Sequence, residues 1–333
     1  MARSKTAANA ILYYEAGQTY VPMAALTDGG DGVKWTSPDE NWSGYEGKEP
    51  VVRPDGLLTG GVITPAVSGT DNLVDVSAGT AYIGGVLRSV AAKADLAMLR
   101  GVTTDTHRIT SVVIEFDSPN YVFAAEAGVD HTEFATTRGA AGAPPLIPAN
   151  EVEVGQVRFT SITDAAVAEA EIFQVPGTHQ ERSDYPVWDE DWAEGEIEFA
   201  ASIAAIHVGP TRRKVYAAYY TPIYAEVPNA SDFVPAETTH SVTSTPIYGG
   251  AVGARSATLG QGSFSARLSS GVIDNLISHK DKNLWFKFLP DRYRDEYILT
   301  QGVLGISRQF PAGNSIIANC TISAEATSIE VES

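Results

Sequence analysis

The chain has 333 residues, 44% hydrophobic and 19% charged, enough to bury a sizeable core in roughly two or three domains and unlike a disordered chain. Its 41 Asp and Glu against 23 Lys and Arg leave a net charge of −18, which argues against tight or sequence-specific nucleic-acid binding, because phosphate contacts need clustered cations. One cysteine, Cys320, excludes an intrachain disulfide and a cysteine-rich zinc site, and no apolar run approaches the ~20 residues that span a bilayer.

Residues 1–6 lead into a short apolar stretch that soon meets Glu15 and Gln18, without a signal-peptide core or cleavage site. The expectation is a product made in a cytoplasm and soluble until assembled. Residues 10–15 and 19–23 flank Gly17 and read as a hairpin. The 27–50 segment contains Gly and Pro and carries Trp35, Trp42 and Tyr45. Exposed aromatics on such a loop bring apolar area to an interface with a partner; the other reading has them staple the loop onto its own domain. Both readings stay open at this point.

Residues 56–61 open a middle unit, and 73–85 read as two short strands joined at Gly79. Residues 107–117, centred on Val112, Val113 and Ile114, form a strongly apolar strand, and 144–148 read as a stiff proline linker. Val152, Val154 and Val157 belong to another strand, while 163–171 fit either a short helix or a turn. Between 178 and 198 acids crowd around Trp188 and Trp192, marking the junction where the chain leaves the middle unit; Glu196 to Phe199 opens an alternating strand. The spacing of Val272, Ile273, Leu276 and Ile277 predicts a helix over 270–282, capped by Ser269 or Ser270. Strands follow at 284–289, from 297, at 302–310 and, after a turn at 311–314, at 316–326, where apolar and polar residues alternate and Cys320 takes a buried position.

Chemistry-bearing patterns are missing. There is no phosphate-binding loop, no dinucleotide fingerprint and no nucleophile elbow; Gly260 to Ser263 has the wrong spacing for the last. The six histidines (107, 131, 179, 207, 240 and 279) show no metal spacing. The acidic run Asp189-Glu190-Asp191 and the stretch from Asp28 to Gly32 lack the calcium-loop pattern and read as solvated loops. No catalytic residue, cofactor or metal ligand is therefore assigned, and the chain is read as non-enzymatic.

Two parts of the chain are similar to a known family. Residues 11–15 and 17–21, the long loop after them, and 254–268 followed by one helix and paired strands resemble a long-tailed (siphovirus-type) bacteriophage major tail tube protein over about half the chain. The stretch from Leu73 to Gly85 is similar to small β-domains of phage baseplates and tail fibres, although Pro145 to Ala149 departs by one residue from the spacing usual there. The resemblance implies a mainly β fold: a tail-tube-like β-sandwich or barrel domain with one packed helix (1–50 and 179–333), plus an inserted β-rich decoration domain (51–178). It further implies a virion structural protein, assembled in the bacterial host cytoplasm, that forms stacked, hexameric rings as a conduit for DNA ejection. Its partners would be copies of itself and the tape measure, tail terminator and distal tail proteins, with double-stranded DNA passing through unbound and no membrane contact. Residues 27–50 and the termini would make ring-to-ring contacts, and an acidic inner wall would let DNA slide. The rival readings are a baseplate or tail-fibre attachment protein and a carbohydrate-binding module.

Overall fold

The period-two alternation that dominates the sequence produces a mainly β chain in the computed structural model, which describes residues 9–39, 41–248 and 250–332. The reading of residues 1–6 lies outside the described residues. Nine strands make the largest sheet, and its pairings are antiparallel. Its order is Ser231–Val234, Gly262–Leu268, Ile316–Ser323, Tyr297–Gln309, Asn283–Leu289, Ile11–Ala25, Val215–Glu226 and Val51–Pro54, with Ile329–Val331 also paired to Tyr297–Gln309. Alternate residues of Ile316–Ser323 go inward: Ala318, Cys320 and Ile322 are buried beside Phe264, Phe286 and Leu304.

The expected hairpin around Gly17 is instead one strand, Ile11–Ala25. Both halves find a better partner than each other, because Val215–Glu226 runs beside the strand from Tyr13 to Ala25. Gly17 marks a bulge where the register shifts. The expected helix over 270–282 shrinks to Asn275–Ser278. Gly271 takes φ +73°, and the Asp274 carboxylate accepts the backbone N–H groups of Ser269, Ser270 and Gly271, which folds the preceding residues into a loop. Val272 and Ile273 are consequently exposed, and Leu276 alone of the predicted stripe is fully buried.

Most buried hydrophobic side chains between residues 57 and 172 gather in one cluster built from Leu57, Val74, Ile114, Val154 and Phe159 among others, while Val113 and Ile147 pack separately with Ile206. Two three-stranded sheets and a four-stranded sheet surround it. The two strands expected within 73–85 form as Leu73–Val76 and Gly79–Ile83, but in different sheets. Val51–Pro54, expected in the inserted unit, pairs with Val215 to Ala218 of the large sheet. The 144–148 segment is no free linker: Ile147 is fully buried, its N–H donates to Ile206 O (2.9 Å), and its carbonyl accepts from Val208 N (2.8 Å). The 163–171 stretch resolves as a 3-10 turn, Glu169–Glu171.

A two-stranded ribbon, Thr238–Ile247 with Gly250–Leu259, stands apart from every other sheet of the described residues. Ten pairs run from Thr238↔Leu259 to Ile247↔Gly250.

Candidate assembly surface

Of the two readings left open for Trp35, Trp42 and Tyr45, interface contact or stapling of the loop onto its own domain, the burial of these side chains supports the second. Trp42 is completely buried, stacked on Tyr219 with ring centroids 5.3 Å apart, and its Nε1 donates to Ser37 Oγ (3.1 Å). Trp35 lies in the same cluster with Ile197 and Phe199, because its strand, Lys34–Thr36, pairs with Glu196–Phe199. Tyr45 is half-buried against the neighbouring core under the Lys282 ammonium. The long loop is stapled down at its centre by Glu15, a fully buried carboxylate that accepts from Ser43 Oγ, Gln18 Nε2 (3.1 Å) and Trp285 N (3.1 Å). Burial pushes its carboxyl up against the pull of those hydrogen bonds.

The acidic stretches cap turns. Asp28 Oδ1 accepts from Gly30 N (2.9 Å) and Gly32 N (3.0 Å), and its other oxygen pairs with Arg212 (2.8 Å). Asp191 accepts from Ala193 N (2.9 Å) and Glu194 N (3.1 Å) between Trp188–Asp191 and Glu196–Phe199. Trp192 Nε1 donates to Glu190 Oε2 at 3.1 Å.

Between the 57–172 cluster and the rest of the chain lies a buried polar junction that sequence reasoning missed. Glu181 Oε1 sits 2.9 Å from His207 Nε2, and Glu181 Oε2 accepts the Glu153 N–H (3.0 Å). His207 Nδ1 lies 3.1 Å from Pro148 O. A carboxylate and a carbonyl only accept, so both contacts are satisfied together when the His207 imidazole is doubly protonated. Burial alone would lower the imidazole, but the Glu181 hydrogen bond and charge raise it on balance. Glu153, 1% exposed, is held by Arg138, Ser111 Oγ (2.6 Å) and Gln156 Nε2 (3.1 Å). The Arg213 guanidinium, also buried, donates to the carbonyl oxygens of Arg182, Tyr185 and Asp55. At the rim, Asp55 accepts from Gly84 N (2.8 Å), whose turn has positive φ at both Gly84 and Gly85. A Cβ at Gly85 would fall 2.5 Å from the Met23 side chain, so glycine lets this turn rest on the large sheet. Burial raises Asp55 to about 6.

The carboxylates of Glu115, Glu126 and Glu151 offer oxygens within 4.8 Å of one another. Burial, then the charges of Glu126 and Glu115, push Glu151 up to about 7. These residues are distant in sequence and carry no ligand spacing, so nothing in the chain announced the meeting.

Two surface features remain. Residues 238–244 and 253–258 of the ribbon are exposed, Val242 included, as is Tyr248 at its turn, and a groove of about 440 Å³ opens beside its root, lined by Trp192, Trp285, Glu190, Asp191 and Glu325 among others. No family model matches the chain, and comparison with curated proteins and solved structures likewise finds no match.

Proposed function

We propose that the chain is a virion structural protein that self-assembles into stacked, hexameric rings forming the tail tube of a long-tailed bacteriophage. The carrying observation is a large antiparallel sheet that ends in two terminal strands, Ser231–Val234 and Val51–Pro54, next to a ribbon that pairs with no third strand among the described residues. Unpaired strand edges are templates for another chain, and closing them edge to edge around a ring removes them. A head-to-tail contact between rings then propagates a tube. The net charge of −18 favours a wall that does not grip passing DNA. Other copies are the principal partner in this reading, with tape measure, tail terminator and distal tail proteins at the ends, in a virion assembled in the host cytoplasm.

A baseplate or tail-fibre attachment role is the second reading. Its support is the separate hydrophobic cluster within residues 57–172, a unit with enough core to carry a function of its own. Negative-stain electron microscopy of the purified protein over a concentration series separates the two. Rings or tubes of uniform diameter are expected. Particles that stay monomeric or trimeric at every concentration would sink the tube reading and favour attachment.

A further inference from the structure

We infer that the tip of the 238–259 ribbon of one copy seats in the acidic, tryptophan-lined groove of the next, making the contact between copies directional. This rests on the self-assembly reading and names the surfaces that reading leaves open.

The ribbon is unlike the rest of the chain. In a protein with 41 acidic residues, residues 238–259 contain no Asp or Glu; their only charged or titratable side chains are Arg255, His240 and Tyr248. Arg255 and His240 are exposed, and Tyr248 at the turn is fully exposed. A fully exposed tyrosine on a narrow projection brings apolar area and a hydroxyl at low entropic cost, the properties of an interface anchor.

The groove is the complementary surface. Its volume of about 440 Å³ falls within the range of clefts that enclose a small ligand, and Trp192 and Trp285 line it. Glu190, Asp191 and Glu325 place three carboxylates around it, so it disfavours acidic occupants and favours a segment free of carboxylates and bearing Arg255.

Topology makes the contact intermolecular. The ribbon root is pinned beside the groove: Ser328 N donates to Ala236 O (2.7 Å), Ala324 N donates to Gln261 Oε1 (2.7 Å), and residues 325–327 line the groove itself. Ten ladder pairs then carry the tip away from that root, and Tyr248 at the turn is fully exposed, not packed back against the same molecule's groove. Donor and acceptor surfaces on one molecule that cannot meet each other make a heterologous contact, which propagates or closes into a ring.

A Tyr248→Cys/Ala326→Cys double variant tests this under mild oxidation. Both positions are exposed, so the substitutions leave the core intact. The native Cys320 is buried with its thiol pushed to about 12, and stays out of the reaction. The expected result is a ladder of covalent dimers, trimers and higher oligomers on a denaturing gel. Charge reversal is the independent arm: Arg255→Glu and Glu325→Arg are each expected to lower the assembled fraction several-fold, and their combination to restore it. Wild-type rings or tubes with no ladder and no response to charge reversal would overturn the groove contact and leave the assembly reading standing. A wild-type chain that stays monomeric at every concentration would overturn both.

Discussion

The buried junction and the exposed ribbon solve the problem of holding a β-rich element in opposite ways. At the junction, Glu153, Glu181, His207, Arg138 and Arg213 are drawn out of water and tied to one another or to backbone carbonyls. In the ribbon the described side chains from 238 to 244 and from 253 to 258 stay in water, and two strands are held by their own ladder and cross-strand contacts such as Ser241 Oγ to Ser256 Oγ (2.6 Å). Isolated two-stranded ribbons are marginal in water. Groups at the junction are over-determined by their neighbours, whereas the ribbon is free to answer to a partner. On the self-assembly reading, the junction carries folding information and the ribbon serves association.

Removing one charge from the junction should have the largest effect. Arg138→Met leaves the 1%-exposed Glu153 carboxylate without its guanidinium, and breaking a buried pair costs about 3–5 kcal/mol. Proton uptake by Glu153, whose carboxyl burial already pushes up, holds the loss near the lower end. Urea unfolding of the variant, and of Arg138→Met/Glu153→Gln, checks this: the double variant should recover part of the loss. An unchanged midpoint in Arg138→Met would mean that the junction carries no special weight.

Legibility divides along the same line. The 316–323 strand was readable because one face is buried and the other wet, so Ala318, Cys320 and Ile322 alternate with polar residues. The ribbon was not, because over 238–244 and 253–258 both faces are exposed and Thr, Ser, Ala and Gly give no apolar alternation. The hairpin around Gly17 and the 270–282 helix were misread for a common reason. Local pattern proposed them, but a distant strand in the first case and the Asp274 carboxylate in the second offered the backbone better partners. Trp35 and Trp42 looked exposed because Gly and Pro flank them; the 196–199 strand and Tyr219 that cover them lie more than 150 residues away in the chain. Glu181 and His207 carry no spacing signal at all, since only tertiary structure makes them neighbours.

A pH series sharpens the comparison with a smaller effect. His207 is raised above its ordinary value of about 6.5, so its stabilisation is fully present below that pH and is lost as pH rises through the folded value. Asp55, at about 6, and Glu151, at about 7, are also raised and shift stability in the same direction, over lower and overlapping windows. Stability should therefore fall on going from pH 6 to pH 9. His207→Gln should flatten the upper part of that profile. A profile of equal slope in the variant would show that Glu181 does not hold the imidazole charged.

The smallest effect is expected in the ribbon, and that smallness is the point. Val242 is 68% exposed, so Val242→Ser removes apolar surface that the isolated chain mostly leaves in water. Surface substitutions of this kind change stability by no more than about 0.5 kcal/mol, and the urea midpoint should stay in place. Amide hydrogen exchange should separate the regions further. Ribbon amides open locally and lose protection long before those of Tyr297–Gln309, which is paired on both sides in the large sheet. If Val242→Ser shifts the midpoint as far as a core change would, the ribbon is packed in the folded chain and the contrast with the junction fails. If the midpoint stays while ring formation weakens, the ribbon's strands serve association, because the Val242 surface that matters then is the exposed majority that another molecule covers.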